Sequence, residues 1–276
     1  MKIVKFSLFL ISSILIFACG GAVEEESSTE IFNELADEEG FAEMHDEPLK
    51  LNVDALGEMV DVSIANGEDA ITYSVKSEGS HKYLLVFHEW WGLNNHIIAE
   101  ADRLFEMLGD VTVIAVDLYD GEVATDRARA TELMQGTDEV RCANIITAVY
   151  NELPKNASIG TIGWCFGGGW SLKAALAGGD KTNACVMYYG MPVEAVEELK
   201  GLNSDVLFIF AEKDQWINQA VADKFKVNMK TAGKELTILP FDEDHAFANP
   251  SSQKYSEKSA QKANAAAIEY FREKLK

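Results

Sequence analysis

A lone cysteine stands between glycines in the segment GWCFGG, residues 163–168. The segment follows an apolar stretch that reads as a strand and precedes a stretch that reads as a helix. Gly163 and Gly167 allow the sharp turn of a nucleophile elbow, which lifts the reactive side chain above a sheet. The N-terminus of the following helix favours a thiolate or an oxyanion at this point. The pattern predicts that Cys165 is a catalytic nucleophile; a buried structural cysteine is the alternative.

A thiol nucleophile of this kind needs a base that takes its proton and a carboxylate that orients the base. On an elbow, these groups follow along the chain in the order nucleophile, acid, histidine. Asp214 ends the apolar stretch VLFIFAEKD, and His245 lies in FDEDHAFANP, beyond the next strand-like stretch. We therefore predict a triad of Cys165, His245 and Asp214. The alternatives are a helix cap for Asp214, a solvated loop imidazole for His245 and a rival base at His88.

The elements that must position these groups alternate between strands and helices from about residue 51 onward. Near-continuous apolar strands separated by amphipathic helices predict an α/β fold with a mostly parallel central sheet and helices on both faces. Reactive side chains gather at the carboxyl ends of the strands in such a sheet. An antiparallel hairpin with a turn at NGED is expected first. The expected elements are the hairpin at 58–76, strands at 83–89, 111–119, 158–165, 184–190, 206–214 and 234–241, and helices at 95–108, 126–136, 137–153, 167–178, 217–233 and from about 252.

The first 18 residues have the layout of a secretory signal peptide, because a basic start precedes an apolar run that ends at Phe17. The run is short for a membrane span. The junction IFACGG resembles a bacterial lipoprotein box, so Cys19 is expected to be lipidated; ordinary cleavage is the alternative. Residues 19–50 are rich in Asp and Glu and are predicted to form a solvated acidic tether. The folded domain is therefore expected at 51–276.

Composition excludes several classes of partner. The chain has 276 residues and a formal net charge of −21, and it has no Lys/Arg cluster, so nucleic acid is not expected to bind. The histidines show no paired ligand spacing with the cysteines, so a zinc site is not expected. Acyl transfer by a thiol requires neither a metal nor an organic cofactor. Beyond Cys19 the number of cysteines is odd, so at least one thiol is free. Whether Cys142 and Cys185 form a disulfide is left open.

At these motifs the sequence resembles the dienelactone hydrolase family of α/β hydrolases, from about residue 60 to the end. The matching segments are GWCFGG, HEWWGLN, DLY, YYG, EKD and HAF. The resemblance implies the α/β-hydrolase fold and the same triad. It also implies that Glu89 lies beside the thiol and that the backbone N–H groups of Trp90 and Phe166 form the oxyanion hole.

The substrate-binding positions depart from the family in one respect. Members that cleave dienelactone hold the substrate carboxylate with two arginines; Arg127 or Arg129 matches the first position, whereas Asn249 stands at the second. Asparagine cannot replace a bidentate guanidinium contact, so a neutral or differently charged lactone or ester is favoured. Trp91 and Tyr188 are expected to shape an apolar pocket, although aromatic residues at such positions are often core.

Together these features predict a cysteine hydrolase that cleaves a small lactone or carboxylic ester by acyl transfer. The protein is expected to be a monomer, anchored by lipid to a membrane of the bacterial envelope as a periplasmic or outer-membrane lipoprotein. The resemblance also implies that Glu89 keeps the resting thiol protonated until substrate displaces the carboxylate. The alternative is an envelope binding protein that keeps the fold without turnover.

Overall fold

Eight strands form one sheet in the part of the chain that the structure, a computed structural model, describes: residues 40–65 and 67–276. The strands are β1 (Glu58–Val62), β2 (Ala70–Val75), β3 (Lys82–Phe87), β4 (Thr112–Val116), β5 (Ser158–Trp164), β6 (Thr182–Tyr188), β7 (Asp205–Ala211) and β8 (Leu236–Phe241). Their order across the sheet is β1-β2-β4-β3-β5-β6-β7-β8. The pairs β1–β2 and β2–β4 are antiparallel, and all the others are parallel. The predicted mostly parallel α/β sheet is confirmed, and the predicted hairpin forms its edge.

Helices flank this sheet. They are α1 (Asn95–Leu108), α2 (Arg127–Gln135), α3 (Glu139–Glu152), α4 (Phe166–Gly178), α5 (Val196–Leu199), α6 (Gln219–Ala232) and α7 (Glu257–Lys274), with 3₁₀ turns at Ala42–Met44 and Gly179–Lys181. Among them α1 packs against α7, and α3 packs against α4. None of the helices in the described part of the chain is long and apolar enough to cross a membrane.

The central strands are buried on both faces, as their apolar sequences require. Every residue of β5 is buried, and so is all of β7 after its first residue, whereas the edge strand β8 has no buried residue. The candidate reactive residues follow these strands at one edge of the sheet: Glu89 after β3, Cys165 after β5, Asp214 after β7 and His245 after β8. Parallel pairing therefore gathers them at the carboxyl edge, as expected.

The largest departure from the predicted organisation is in residues 40–51, termed the N-terminal segment. Phe41 is 2% exposed, and its ring lies edge-on to Trp90 and Trp216 with centroids 5.8 and 5.5 Å away. His45 is 5% exposed. The prediction of a solvated tether up to residue 50 does not hold for these residues, because two buried rings in an acidic stretch are too few to be recognised as a core pattern.

Hydrogen bonds fix the N-terminal segment to three parts of the domain. Arg127 of α2 and residues at the start of α1 bind its carbonyl oxygens, and the loop before α7 binds its Asp46 carboxylate. The segment is therefore a docked part of the fold. The contacts are Arg127 Nε to the His45 carbonyl (2.6 Å), His96 Nε2 to the Leu49 carbonyl (2.7 Å), Asn95 Nδ2 to the Leu51 carbonyl (2.7 Å) and the Gln253 N–H to Asp46 Oδ2 (2.6 Å).

Candidate active site

Cys165 lies at the turn between β5 and α4. Its φ of 54° is in the left-handed region, which is a strained conformation for a residue other than glycine. A Cβ on Gly163 would lie 2.0 Å from the carbonyl oxygen of Gly167, and a Cβ on Gly167 would lie 2.3 Å from that of Phe87. The backbone therefore passes too closely at both positions for any residue but glycine. This is the sharp strand-to-helix turn that the sequence predicted.

The three cysteines of the described chain are free and buried, which answers the question of a disulfide. Burial raises the pKa of Cys142 to about 12 and that of Cys185 to about 11. Cys142 lies against the Leu118 carbonyl, and Cys185 lies 3.6 Å from the Ser171 hydroxyl. These two thiols are protonated at physiological pH and are poor nucleophiles.

His245 and Asp214 form a buried pair near the elbow. His245 Nδ1 lies 2.5 Å from Asp214 Oδ2, and Asp214 Oδ1 accepts the backbone N–H groups of Trp216 and Ile217, each at 3.0 Å. Burial by itself would raise the pKa of Asp214, but His245 and these N–H groups bring it below its ordinary value. Burial would also lower the pKa of His245, but Asp214 and Cys165 raise it well above 6.5. The carboxylate thus orients the ring and stabilises its protonated form.

The second nitrogen of His245 is left for the nucleophile. Nε2 is buried and has no hydrogen-bond partner among the described residues. A ring nitrogen of His245 lies within 4.8 Å of Cys165 Sγ. Since Nδ1 is engaged by Asp214, Nε2 is the nitrogen that can exchange a proton with the thiol. The structure therefore brings the three residues of the predicted triad together, and their catalytic roles stay a prediction.

His45 enters this site from the N-terminal segment, and nothing in the sequence signalled it. Its Nε2 lies 3.8 Å from Cys165 Sγ, and its Nδ1 donates to the Phe41 carbonyl oxygen at 2.8 Å. The ring packs against His245 and Trp90, with centroids 5.2 and 4.4 Å away. Burial, with the charge of His245, lowers the pKa of His45 to about 3. The ring is therefore neutral, and Nε2 accepts the thiol proton in a hydrogen bond.

Glu89 is buried at the end of β3. Its Oε2 accepts a hydrogen bond from Asn249 Nδ2 at 2.5 Å, whereas Oε1 has no partner among the described residues. Burial raises the pKa of Glu89 to about 7, against the lowering effects of His245 and Asn249. A carboxyl group with this pKa can gain or lose a proton at neutral pH, as a general acid or base must.

The two residues predicted for the oxyanion hole lie in the same region. Phe166 is the first residue of α4, directly after Cys165, and Trp90 directly follows Glu89. Both side chains are almost completely buried. The role of their backbone N–H groups stays a prediction.

A cavity of about 460 Å³ lies beside the candidate triad. Glu89 lines it, as does Trp164, the residue before Cys165, and Trp91 contributes to its apolar wall as predicted. Residues 49–51 of the N-terminal segment close one side. Cys165 itself does not line the cavity and is only 1% exposed. The sulfur is therefore shielded from solvent, and the His45 ring lies against it.

The structure does not place the predicted carboxylate-binding arginines at this cavity. Arg127 binds the His45 carbonyl and so holds the N-terminal segment. Arg129 pairs with Glu122 and Glu132 on the exposed surface. The sequence interpretation of either arginine as a substrate ligand is corrected by these contacts: one is a structural anchor and the other belongs to a solvated helix face.

Two further predicted binding residues are engaged elsewhere. Asn249 lines the cavity, but its side-chain amide binds Glu89. Tyr188 is fully buried, and its hydroxyl donates to Asn264 Oδ1 of α7 at 2.9 Å, so it belongs to the core. Arg103 lines the cavity instead, paired with Glu100 at 2.6 Å. Arg103 is the only Lys or Arg of α1, and a single charge on an amphipathic helix is usually part of its solvated face, so it carried no signal in the sequence.

Comparisons with known proteins point to one family. A model of the dienelactone hydrolase family matches residues 69–275. "Protein usf" of Aquifex pyrophilus is 26% identical, over 80% of this chain and 100% of its own length. Carboxymethylenebutenolidase of Pseudomonas sp. (strain P51) is 26% identical, over 42% of this chain and 48% of its own length.

A solved structure shares the fold. The dienelactone hydrolase-like promiscuous phosphotriesterase P91 from metagenomic libraries superposes with a TM-score of 0.69 at 21% identity, covering 80% of this chain and 98% of that chain. The candidate triad and Glu89 lie inside the range that the family model matches, whereas His45 lies before it. His45, which contacts the thiol, therefore lies outside the region that the family model matches.

Proposed function

Because the chain belongs to the dienelactone hydrolase family, we propose that it is a cysteine hydrolase that cleaves a small lactone or carboxylic ester through Cys165, His245 and Asp214. The observation that carries the proposal is the buried His245–Asp214 pair, joined at 2.5 Å, next to a cysteine on a strained elbow. The three residues follow the chain order of such elbows. A strained backbone conformation such as that of Cys165 is typical of functional sites.

In the proposed reaction, Glu89 takes the thiol proton as substrate enters and returns it when the sulfur is released at the end of the cycle. His245 is protonated beside the thiolate, and Cys165 Sγ attacks the carbonyl carbon of the substrate. Asp214 holds Nδ1 and stabilises the imidazolium. The backbone N–H groups of Trp90 and Phe166 stabilise the oxyanion. Collapse of this intermediate forms a thioester, and the leaving alkoxide takes the proton from His245. A water molecule, deprotonated by His245, then hydrolyses the thioester and restores the thiol.

The substrate carbonyl must reach a sulfur that is 1% exposed, with His45 Nε2 only 3.8 Å away. An acyl group bound to Sγ needs the space that this imidazole fills. We therefore place a shift of the N-terminal segment before the acylation step. Besides its hydrogen bonds, the segment is held by aromatic contacts of Phe41 and His45 with the domain, and each of these interactions contributes about 1 kcal/mol.

Glu89 is proposed to accept the thiol proton when substrate enters and to release a thiolate toward His245. Only the ionised carboxylate can do this, so turnover that depends on it should rise as the pH passes through about 7, the pKa of Glu89. A Glu89→Gln variant should lose much of its activity and this rise with pH. The measurement is kcat/KM against pH for both proteins; superimposable profiles would contradict the role.

The cavity favours a substrate without a free carboxylate. Its wall is mostly apolar, Arg103 is already paired with Glu100, and neither Arg127 nor Arg129 lines it. A carboxylate entering this space would lie near Glu89 and would lose its hydration, and of the two cations that line the cavity, Lys50 and Arg103, the second is already paired. We therefore propose a neutral ester or lactone as substrate, hydrolysed by a monomer.

Hydrolysis assays on a panel of aryl esters and simple lactones test the proposal. The purified full-length chain should release product faster than buffer from at least the short-chain members. Quenching the reaction early should show, by mass spectrometry, an acyl group on the peptide that contains Cys165. If no compound in either set is turned over faster than in buffer, the alternative of a binding protein without turnover takes its place.

We further propose that the protein is a lipoprotein of the bacterial envelope, anchored through Cys19. Residues 1–39, which carry this prediction, lie outside the described residues. A Cys19→Ala variant should stay unprocessed by lipoprotein maturation and lose incorporation of labelled fatty acid. The readout is autoradiography or mass spectrometry of the mature N-terminus; a wild-type chain with an unmodified N-terminal residue other than Cys19 would overturn the proposal.

A further inference from the structure

Three metal-ligating side chains converge at the elbow. His45, Cys165 and His245 come from the N-terminal segment, the β5–α4 turn and the loop after β8. One donor atom from each lies within 4.8 Å of the donors of the other two. All three side chains are at least nine-tenths buried. Convergence of a thiol and two imidazoles from three separate elements is the arrangement in which proteins bind thiophilic cations.

The two imidazoles are oriented as metal ligands are. His45 Nδ1 is held by the Phe41 carbonyl at 2.8 Å, and His245 Nδ1 is held by Asp214 at 2.5 Å. A carbonyl or carboxylate on one ring nitrogen fixes the tautomer and leaves the other nitrogen with its lone pair. His245 Nε2 makes no hydrogen bond within the described chain, and His45 Nε2 meets only the sulfur. Both Nε2 atoms thus lie near the sulfur, and a metal ion gains their lone pairs once it displaces the thiol proton and the Nε2 proton of His245.

Distances and charge fit a tetrahedral divalent ion. Zinc bound to sulfur and nitrogen at its usual lengths separates those two atoms by about 3.6 Å, and Cys165 Sγ and His45 Nε2 are 3.8 Å apart. The widest pair of donors, within 4.8 Å, needs to close by roughly 1 Å. A thiolate and the Asp214 carboxylate together balance a 2+ charge. Oxygen-seeking ions such as Mg²⁺ do not suit this sulfur and nitrogen set.

We propose that His45, Cys165 and His245 bind a thiophilic divalent cation and that Zn²⁺ fits these ligands best. The bound ion blocks the nucleophile. Binding forms one metal–sulfur bond and a metal–nitrogen bond to each ring, and it releases the thiol proton and the Nε2 proton of His245 to solvent. The bound ion occupies both the sulfur and His245 Nε2, so neither can take part in acyl transfer. Inhibition rests on the proposed hydrolase function, but metal binding itself does not.

His45 distinguishes this site from the triad alone. A Cys–His pair offers two ligands, and the third is supplied by a residue that lies before the family match at 69–275. The position of His45 is fixed by Arg127 on its carbonyl and by the packing of Phe41 on Trp90. A preorganised third ligand loses little entropy on binding. Tight binding should therefore depend on His45.

Cobalt titration of the metal-free full-length chain in detergent tests the site. Co²⁺ bound by a thiolate gives a charge-transfer band in the near ultraviolet, and Zn²⁺ should displace it at a ratio of about one per chain. Cys165→Ser should abolish the band. His45→Ala and His45→Gln should each weaken binding by about 10- to 100-fold or more, and the exposed His81→Ala should bind as the wild type does.

Activity gives the second readout. Zn²⁺ should inhibit ester hydrolysis reversibly, with EDTA restoring turnover, and the inhibiting concentration should rise in the His45 variants by the same factor as the dissociation constant. Circular dichroism shows whether each variant is folded. The proposal is overturned if the wild type gives no thiolate–cobalt band, or if both folded His45 variants bind Co²⁺ as tightly as the wild type, which would leave His45 as a hydrogen-bond partner only. A chain that binds cobalt but hydrolyses nothing would contradict the hydrolase proposal and leave the metal site standing.

Discussion

The Cys165→Ala variant should hydrolyse the best ester or lactone substrate at least about 10³-fold more slowly than the wild type. Without Sγ, acylation cannot occur, and only the oxyanion donors and substrate binding remain. The fold should persist, because alanine occupies the same φ of 54° at the same cost as cysteine and removes only the thiol. The measurement is kcat/KM for purified, folded protein.

Cys185→Ala is the matched control for this prediction. Cys185 is also a free, buried thiol, but it lies on β6 against the Ser171 hydroxyl. Its removal leaves a small cavity in the core and should lower the free energy of unfolding by about 1 kcal/mol, with kcat/KM within a few-fold of the wild type. If Cys165→Ala kept a tenth or more of the wild-type kcat/KM, the sulfur could not be the nucleophile.

The strands and the elbow were predictable because their signals are local. The strand β5 is an apolar β-branched run buried on both faces, and Gly163 is required by a backbone contact with Gly167 inside the turn. Gly167 is required by the Phe87 carbonyl at the end of β3, but the glycine-rich pattern around Cys165 is itself a local signal. Parallel pairing then places Cys165, Asp214 and His245 at one edge without further information. An active site whose side chains lie at strand ends can therefore be predicted from the strands and the residue types.

The ends of helices that are set by tertiary contacts are harder to predict from the sequence. The last helix begins at Glu257 rather than near Ser252, because residues 252–256 are held in turns. The Ser256 N–H donates to the Phe247 carbonyl at 2.9 Å, and the Gln253 N–H binds Asp46 of the N-terminal segment. The sequence there has good helix formers, and the contacts that stop the helix come from distant parts of the chain.

His45 could not be found from its surroundings in the sequence. It is separated from Cys165 by 120 residues and stands in an acidic stretch with no hydrophobic period. The expectation of no metal site rests on the spacing of the histidines and cysteines along the chain, and such spacing cannot show residues that the fold brings together from distant segments. Arg127 was read as a substrate ligand, although its partner is this same segment.

The His245→Gln variant should lose activity by about 10²-fold or more, because glutamine can neither stabilise the thiolate as a cation nor protonate the leaving alkoxide. Asp214→Asn should show a loss of similar order, since an amide no longer stabilises the imidazolium and favours the wrong ring tautomer. Both variants keep the volume of the buried pair, so the fold should persist. The measurement is kcat/KM beside the thermal midpoint of unfolding.

His88→Gln is the decisive control, because His88 is the other histidine buried next to an aspartate. His88 Nε2 lies 3.7 Å from Asp117 and accepts the Leu118 N–H at 3.0 Å, and Nδ1 donates to the Glu89 carbonyl at 2.6 Å. Burial lowers its pKa, and the neutral ring uses both nitrogens on the backbone, so it has no lone pair for the thiol. Its loss should cost about 1 to 3 kcal/mol per broken bond in stability, while the folded protein keeps most of its turnover. A folded His88→Gln protein without activity, beside an active His245→Gln protein, would transfer the role of base to His88.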